Sequence, residues 1–120
     1  MGKVKREFDC EKGCPVEASL DIIGGRWKGV VLYHLLKGSL RFSQLGRRLP
    51  GVTQRVLTLQ LRELEADGLV SREVFAEVPP RVEYSLTEKG KTLGPVIDSL
   101  MDWGTTQGRG IIAERQARPK

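Results

Sequence analysis

The chain has 120 residues, 39% apolar and 29% charged, with a net charge of +5. That length fits one folded domain, and two cysteines exclude a disulfide-stapled scaffold, so a reducing cytoplasm is the expected compartment. No apolar run approaches the ~18 residues of a membrane span, and the charged N-terminus does not read as a signal peptide.

In chain order, residues 1–13 are polar and read as a flexible arm. Cys14-Pro15-Val16-Glu17 opens a helix, because proline suits the first helical position and leaves Cys14 as the N-cap. Gly24-Gly25 stop it after about Ile23. A second helix is predicted from Trp27 to Leu36, with Trp27, Val30, Val31 and Leu35 on its core face. A third spans about Phe42 to Leu49 and turns Phe42, Leu45 and Leu49 inward. Pro50-Gly51-Val52 then makes a tight turn, and Thr53 caps a fourth helix that runs to about Asp67 and ends at Gly68. Two short helices joined this way form a helix-turn-helix.

Two alternating runs follow, Val70 to Val78 and Arg81 to Leu86, with Pro79-Pro80 at a tip that must face solvent. Thr87-Glu88-Lys89-Gly90 caps a last helix carrying the stripe Leu93, Val96, Ile97, Leu100 and Met101. Gly104, Gly108 and Gly110 punctuate what comes next, so residues 105–120 read as a tail or a short helix. The expected fold class is α+β, mainly helical: a winged helix-turn-helix over residues 14–104.

Charge sharpens the functional reading. Residues 22–62 contain eight Lys and Arg and no acid, a local +8. Such a face raises affinity for a polyanion. On a helical projection, Leu57, Leu61 and Leu64 of the fourth helix share the core side. Arg55, Thr58 and Arg62 point the other way, with Leu59 beside them and Gln54 at the N-terminal edge. Those polar types hydrogen-bond base edges and phosphates in the major groove. Thr53 begins that helix, Arg41 and Ser43 flank the one before it, and Arg81 adjoins the hairpin tip, where a wing touches the flanking backbone or minor groove. The candidate DNA-binding residues are therefore Arg41, Ser43, Thr53, Gln54, Arg55, Thr58, Arg62 and Arg81. The competing reading is a winged-helix protein-interaction module, since a fold does not fix a function.

Catalysis and metal binding find no support. Cys10, Cys14 and His34 fall short of the roughly four ligands of a zinc site, and one histidine makes no argument for a nucleophilic triad. No phosphate-binding glycine loop is present, so no cofactor and no enzymatic activity are expected.

Several segments together resemble the HxlR-type winged helix-turn-helix regulators. They are Cys14 to Glu17, Gly24-Gly25-Arg26-Trp27, Arg41-Phe42-Ser43-Gln44-Leu45, Gln60 to Val70, Val78 to Tyr84, Leu86 to Gly90, and Trp103-Gly104. The resemblance implies a transcription regulator that binds operator DNA as a homodimer, paired through its first and C-terminal helices. It also implies, for some members, sensing of oxidants or electrophiles at the cysteine aligned with Cys14. A thiol at an N-cap faces the positive end of the helix dipole, which favours the thiolate, while Glu17 opposes it. Cys10 lies four residues upstream as a candidate resolving thiol. A plain N-cap role for Cys14 stands beside the redox one.

Overall fold

A computed structural model describes residues 13–119. The proposed arm over 1–13, all but Gly13, and Cys10 lie outside the described residues. Helix α1 spans Pro15–Ile23 and α2 spans Lys28–Leu35. Strand β1, Leu40–Arg41, leads into α3, Phe42–Arg48. After the turn comes α4, Gln54–Ala66, then strands β2, Val70–Phe75, and β3, Arg81–Leu86. Helix α5 is Glu88–Lys91 and α6 is Gly94–Trp103. A π-helical stretch, Gly104–Gly108, joins α6 to α7, Arg109–Ala117.

The core is built mostly of leucine, with Ile23, Val31, Val70 and Ile97. Leu32, Leu35, Leu45, Leu49, Leu57, Leu61 and Leu64 are buried where α2, α3 and α4 meet. The hairpin closes the other side through Leu69, Val70 and Leu86. Its sheet has the order β1-β3-β2 and is antiparallel throughout. Leu40 pairs with Tyr84 and Arg41 with Glu83, so β1 ties the entrance of α3 to the wing. This is the winged-helix arrangement, with α3 and α4 as its helix-turn-helix.

Three local expectations change. Val30 is 39% exposed and Leu32 takes its place inside, because α2 buries the side carrying Val31, Leu32 and Leu35. Strand β2 stops at Phe75 instead of Val78, so the tip is longer than its two prolines. The glycines after Trp103 do not interrupt the helix: Trp103, Gly104, Gly108 and Arg109 all keep helical dihedrals. Instead the hydroxyls of Thr105 and Thr106 donate to the carbonyls of Met101 and Asp102 at 2.8 and 2.9 Å. The ring of Trp103 lies over Gly108, where a Cβ would come within 3.4 Å of it. Threonine hydroxyls bonded back to carbonyls four residues earlier loosen and bend a helix, and this is where the chain takes its π-helical turn.

Candidate nucleic-acid interface

Helix α4 starts where its sequence says it should. Thr53 has extended dihedrals, and its hydroxyl accepts the Val56 N–H at 3.1 Å. Replacing that cap by alanine should cost about 1 kcal/mol, while serine preserves it. Equal urea midpoints for Thr53→Ala and wild type would contradict the cap. Beyond Thr53, Leu57, Leu61 and Leu64 of α4 face the core and the opposite side is open. Gln54, Arg55, Thr58, Leu59 and Arg62 line one shallow surface depression there. Arg55, Leu59 and Arg62 are exposed. Thr58 is half-buried, and its hydroxyl donates to the Gln54 carbonyl at 2.8 Å, leaving its lone pairs to accept.

The residues before α4 contribute less uniformly. Arg41 and Ser43 are exposed at the start of α3, where the Gln44 side chain accepts the Arg41 N–H at 2.8 Å. Both line a second depression against the wing tip, Glu77 to Val82. Lys28 is neutralised by Glu63 of α4 at 2.8 Å, so the eight-cation segment presents fewer free charges than its composition suggests. Arg26 lies over the Trp27 ring at 4.6 Å and approaches the Gly51 turn. Among the described residues, Arg41, Arg55 and Arg62 have no carboxylate within salt-bridge distance.

Arg81 is placed differently from the others. Its guanidinium donates to Glu77 at 2.8 Å and to Glu83, and it lies over the Phe75 ring at 4.0 Å. The hydrogen bond to Glu77, followed by the charges of Glu77 and Glu83, outweighs a desolvation penalty and raises its already high pKa. Sequence reasoning missed both glutamates, although Glu83 stands two residues along the same strand and therefore on the same face. Cys14 sits half-buried at the N-cap of α1 with no side-chain cap bond, and is a free thiol.

A separate groove of about 590 Å³ runs between α1, α2 and α6, lined by Leu20, Tyr33, His34, Ile97 and Leu100 among others. His34 meets Tyr33 edge-on, with ring centroids 5.2 Å apart. Burial first, then the charges of Arg48 and Lys37, hold its imidazole below the ordinary value of 6.5. The folded protein thus resists protonation that the unfolded chain accepts. His34 contributes stability that is complete above the unfolded value and lost as pH falls through the folded one. Urea midpoints measured from about pH 7.5 down to about pH 5 should fall less for His34→Asn than for wild type. Parallel curves would sink this expectation.

A family model described as HxlR-like helix-turn-helix matches residues 22–111. The chain belongs to the HxlR family. The HTH-type transcriptional regulator YybR of Bacillus subtilis (strain 168) is 55% identical over 124 residues, covering 97% of this chain and 99% of the relative. Among solved structures, the redox regulator HypR in its oxidised form is 57% identical with a TM-score of 0.75, covering 78% of this chain and 97% of that one. HypR in its reduced form is 54% identical with a TM-score of 0.78, covering 82% and 98%. This HxlR-family protein is a helix-turn-helix transcriptional regulator and not an enzyme. None of its described helices is long and apolar enough to cross a membrane.

Proposed function

We propose that this regulator acts in the cytoplasm, binding one duplex sequence as a homodimer on a pseudo-palindromic operator, and that oxidants or electrophiles control it through Cys14. The observation that carries the reading is the open face of α4, where Gln54, Arg55 and Arg62 are exposed around one depression. A helix of this kind inserts its N-terminal residues into the major groove. Arg41 at the N-cap of α3, Ser43 within it and Thr53 at the cap of α4 then reach the adjoining phosphates.

Dimerisation is supported by apolar surface that one copy leaves uncovered. Val16 and Leu20 on α1, and Val96, Leu100, Met101 and Trp103 on α6, are all exposed. A second copy covering them sets two α4 helices about one DNA turn, ~34 Å, apart. Sedimentation should show a dimer for wild type and a monomer for Leu100→Glu.

The redox part is supported by the half-buried thiol at the N-cap and by likeness to a redox regulator solved in two oxidation states. Peroxide converts the Cys14 thiolate to a sulfenic acid, releasing hydroxide. The protonated sulfenic acid then condenses with a second thiol, forming a disulfide and water. Cys10, or the partner's Cys14, supplies that second thiol. Peroxide should change operator affinity in wild type and leave Cys14→Ser unaffected. The same response in both proteins would remove Cys14 from the reading.

Selection of duplexes from a random library, followed by footprinting, tests the DNA reading. One protected pseudo-palindrome is expected, with affinity that falls steeply as salt rises. Uniform binding to every duplex would defeat sequence specificity. Tight binding to a protein partner without DNA binding would transfer the function to protein interaction.

A further inference from the structure

The wing carries an arrangement that a simple phosphate-contacting arginine does not need. We propose that Arg81 is a positioning residue that latches the wing in its DNA-ready shape, leaving Arg41 as the phosphate-binding cation beside the tip. This rests on the DNA reading of α4 and the wing.

Three groups hold the Arg81 guanidinium from three directions. Glu77 comes from the tip at 2.8 Å, Glu83 comes from the same strand, and the Phe75 ring lies beneath at 4.0 Å. Phe75 and Arg81 are also cross-strand partners, the last pair before the loop opens. The side chain is only 27% exposed, so its donors point into the wing. Glu83 extends the link: its other carboxylate oxygen accepts the Ser39 hydroxyl at 3.4 Å, just ahead of β1. Glu83 also pairs in register with Glu73 on one side and Arg41 on the other. Facing like charges loosen a ladder, and the Arg81 guanidinium offsets the Glu73–Glu83 pair. A loop with Val78 fully exposed and prolines that cannot donate to the ladder has little else to fix it. Among the described residues, one other hydrogen bond tethers the loop, the Glu77 N–H donating to the Phe75 carbonyl at 2.8 Å. Arg41 stands opposite this latch, exposed and without a carboxylate partner among the described residues.

The latch and direct-contact assignments differ in sign as well as size. A carboxylate near DNA repels phosphates, so Glu83→Gln tightens binding if Arg81 merely touches the backbone. If Glu83 holds the latch, the same substitution weakens binding, because the wing must be ordered on contact. Salt dependence separates the two arginines, since each phosphate contact adds about 0.9 to the slope of log affinity against log salt.

The experiment uses the intact chain and the duplex obtained by library selection. Arg81→Gln, Arg81→Lys and Glu83→Gln should each weaken binding about fivefold with the salt slope unchanged. Lysine fails because it lacks the planar fork that spans two carboxylates over a ring. Arg41→Gln should lower the slope by about 0.9. Amide exchange over residues 76–80 in DNA-free protein should speed up in all three latch variants and not in Arg41→Gln. The latch is overturned if Arg81→Gln lowers the slope while Arg81→Lys binds like wild type. It is equally overturned if Glu83→Gln binds more tightly or if wing exchange is unchanged. If wild type binds no duplex, the DNA reading fails, and exchange alone decides whether the latch exists.

Discussion

Gly90→Ala should destabilise the protein by about 3 kcal/mol or more, although alanine is the better helix former. Gly90 is buried in α5, directly over the corner where α4 gives way to β2. A Cβ there would lie 2.1 Å from the Leu69 carbonyl oxygen and 3.3 Å from Leu86. That oxygen cannot step aside. It accepts the Thr87 N–H at 3.1 Å, and the next residue, Val70, is paired with Leu86 at the base of the wing. Thr87 pins the corner again, its hydroxyl donating to the Gly68 carbonyl at 2.6 Å while accepting the Gly90 N–H at 3.0 Å. Relief therefore requires moving α5 away from the sheet. Gly110→Ala is the contrast, since a Cβ at that helical position meets nothing within 4 Å. It should leave stability unchanged or raise it by at most about 1 kcal/mol. Both are read from urea unfolding at one protein concentration, because the proposed dimer links stability to concentration. Equal midpoints for wild type and Gly90→Ala would show that the corner yields.

The same corner shows what a sequence displays and what it hides. Helix α4 was legible because its leucines recur at helical spacing between a threonine cap and a glycine whose φ is +78°. The wing was legible as two alternating runs about a proline tip. Strand β1 was not, because a two-residue strand has no period and exists only where Leu40 meets Tyr84. Val30 and Val31, three and four positions beyond Trp27, both satisfy helical spacing, and packing buries Val31 together with Leu32 and leaves Val30 out. The run through Gly104 and Gly108 was hidden for a related reason. Glycine lowers helix propensity, but the backbone is held by threonine hydroxyls and by Trp103 over Gly108. In the interface, exposure of Arg55 and Arg62 followed from periodicity alone. The Lys28–Glu63 bridge depends on tertiary approach, so a count of charges along the chain could not foresee it, whereas the partners of Arg81 stand only four and two residues away and were open to strand periodicity.

Arg55→Ala should lower operator affinity by roughly fivefold to a hundredfold and do so unevenly across the site. Arg55 is the second residue of α4, where a reading helix enters the groove, and it stands exposed between Gln54 and the Leu59 side of the depression. It contributes nothing to the core, and its salt-bridge partners are absent among the described residues, so thermal stability should not move. Arginine reads guanine through two parallel hydrogen bonds, and losing them removes discrimination at that base pair. Wild type should distinguish all four bases at one or two positions, and Arg55→Ala should bind those variants nearly alike. Arg62 provides the internal comparison. It lies two turns further along α4, close enough to Tyr84 to bear on its ionisation. A side chain that far from the helix start is better placed for phosphate than for base edges. Its alanine variant should weaken all duplexes by a similar factor and reduce the salt slope by about 0.9. If Arg55→Ala instead weakens every single-base variant equally and lowers the slope, Arg55 is a phosphate contact. Sequence reading then passes to Gln54 and Thr58 on the same face of α4.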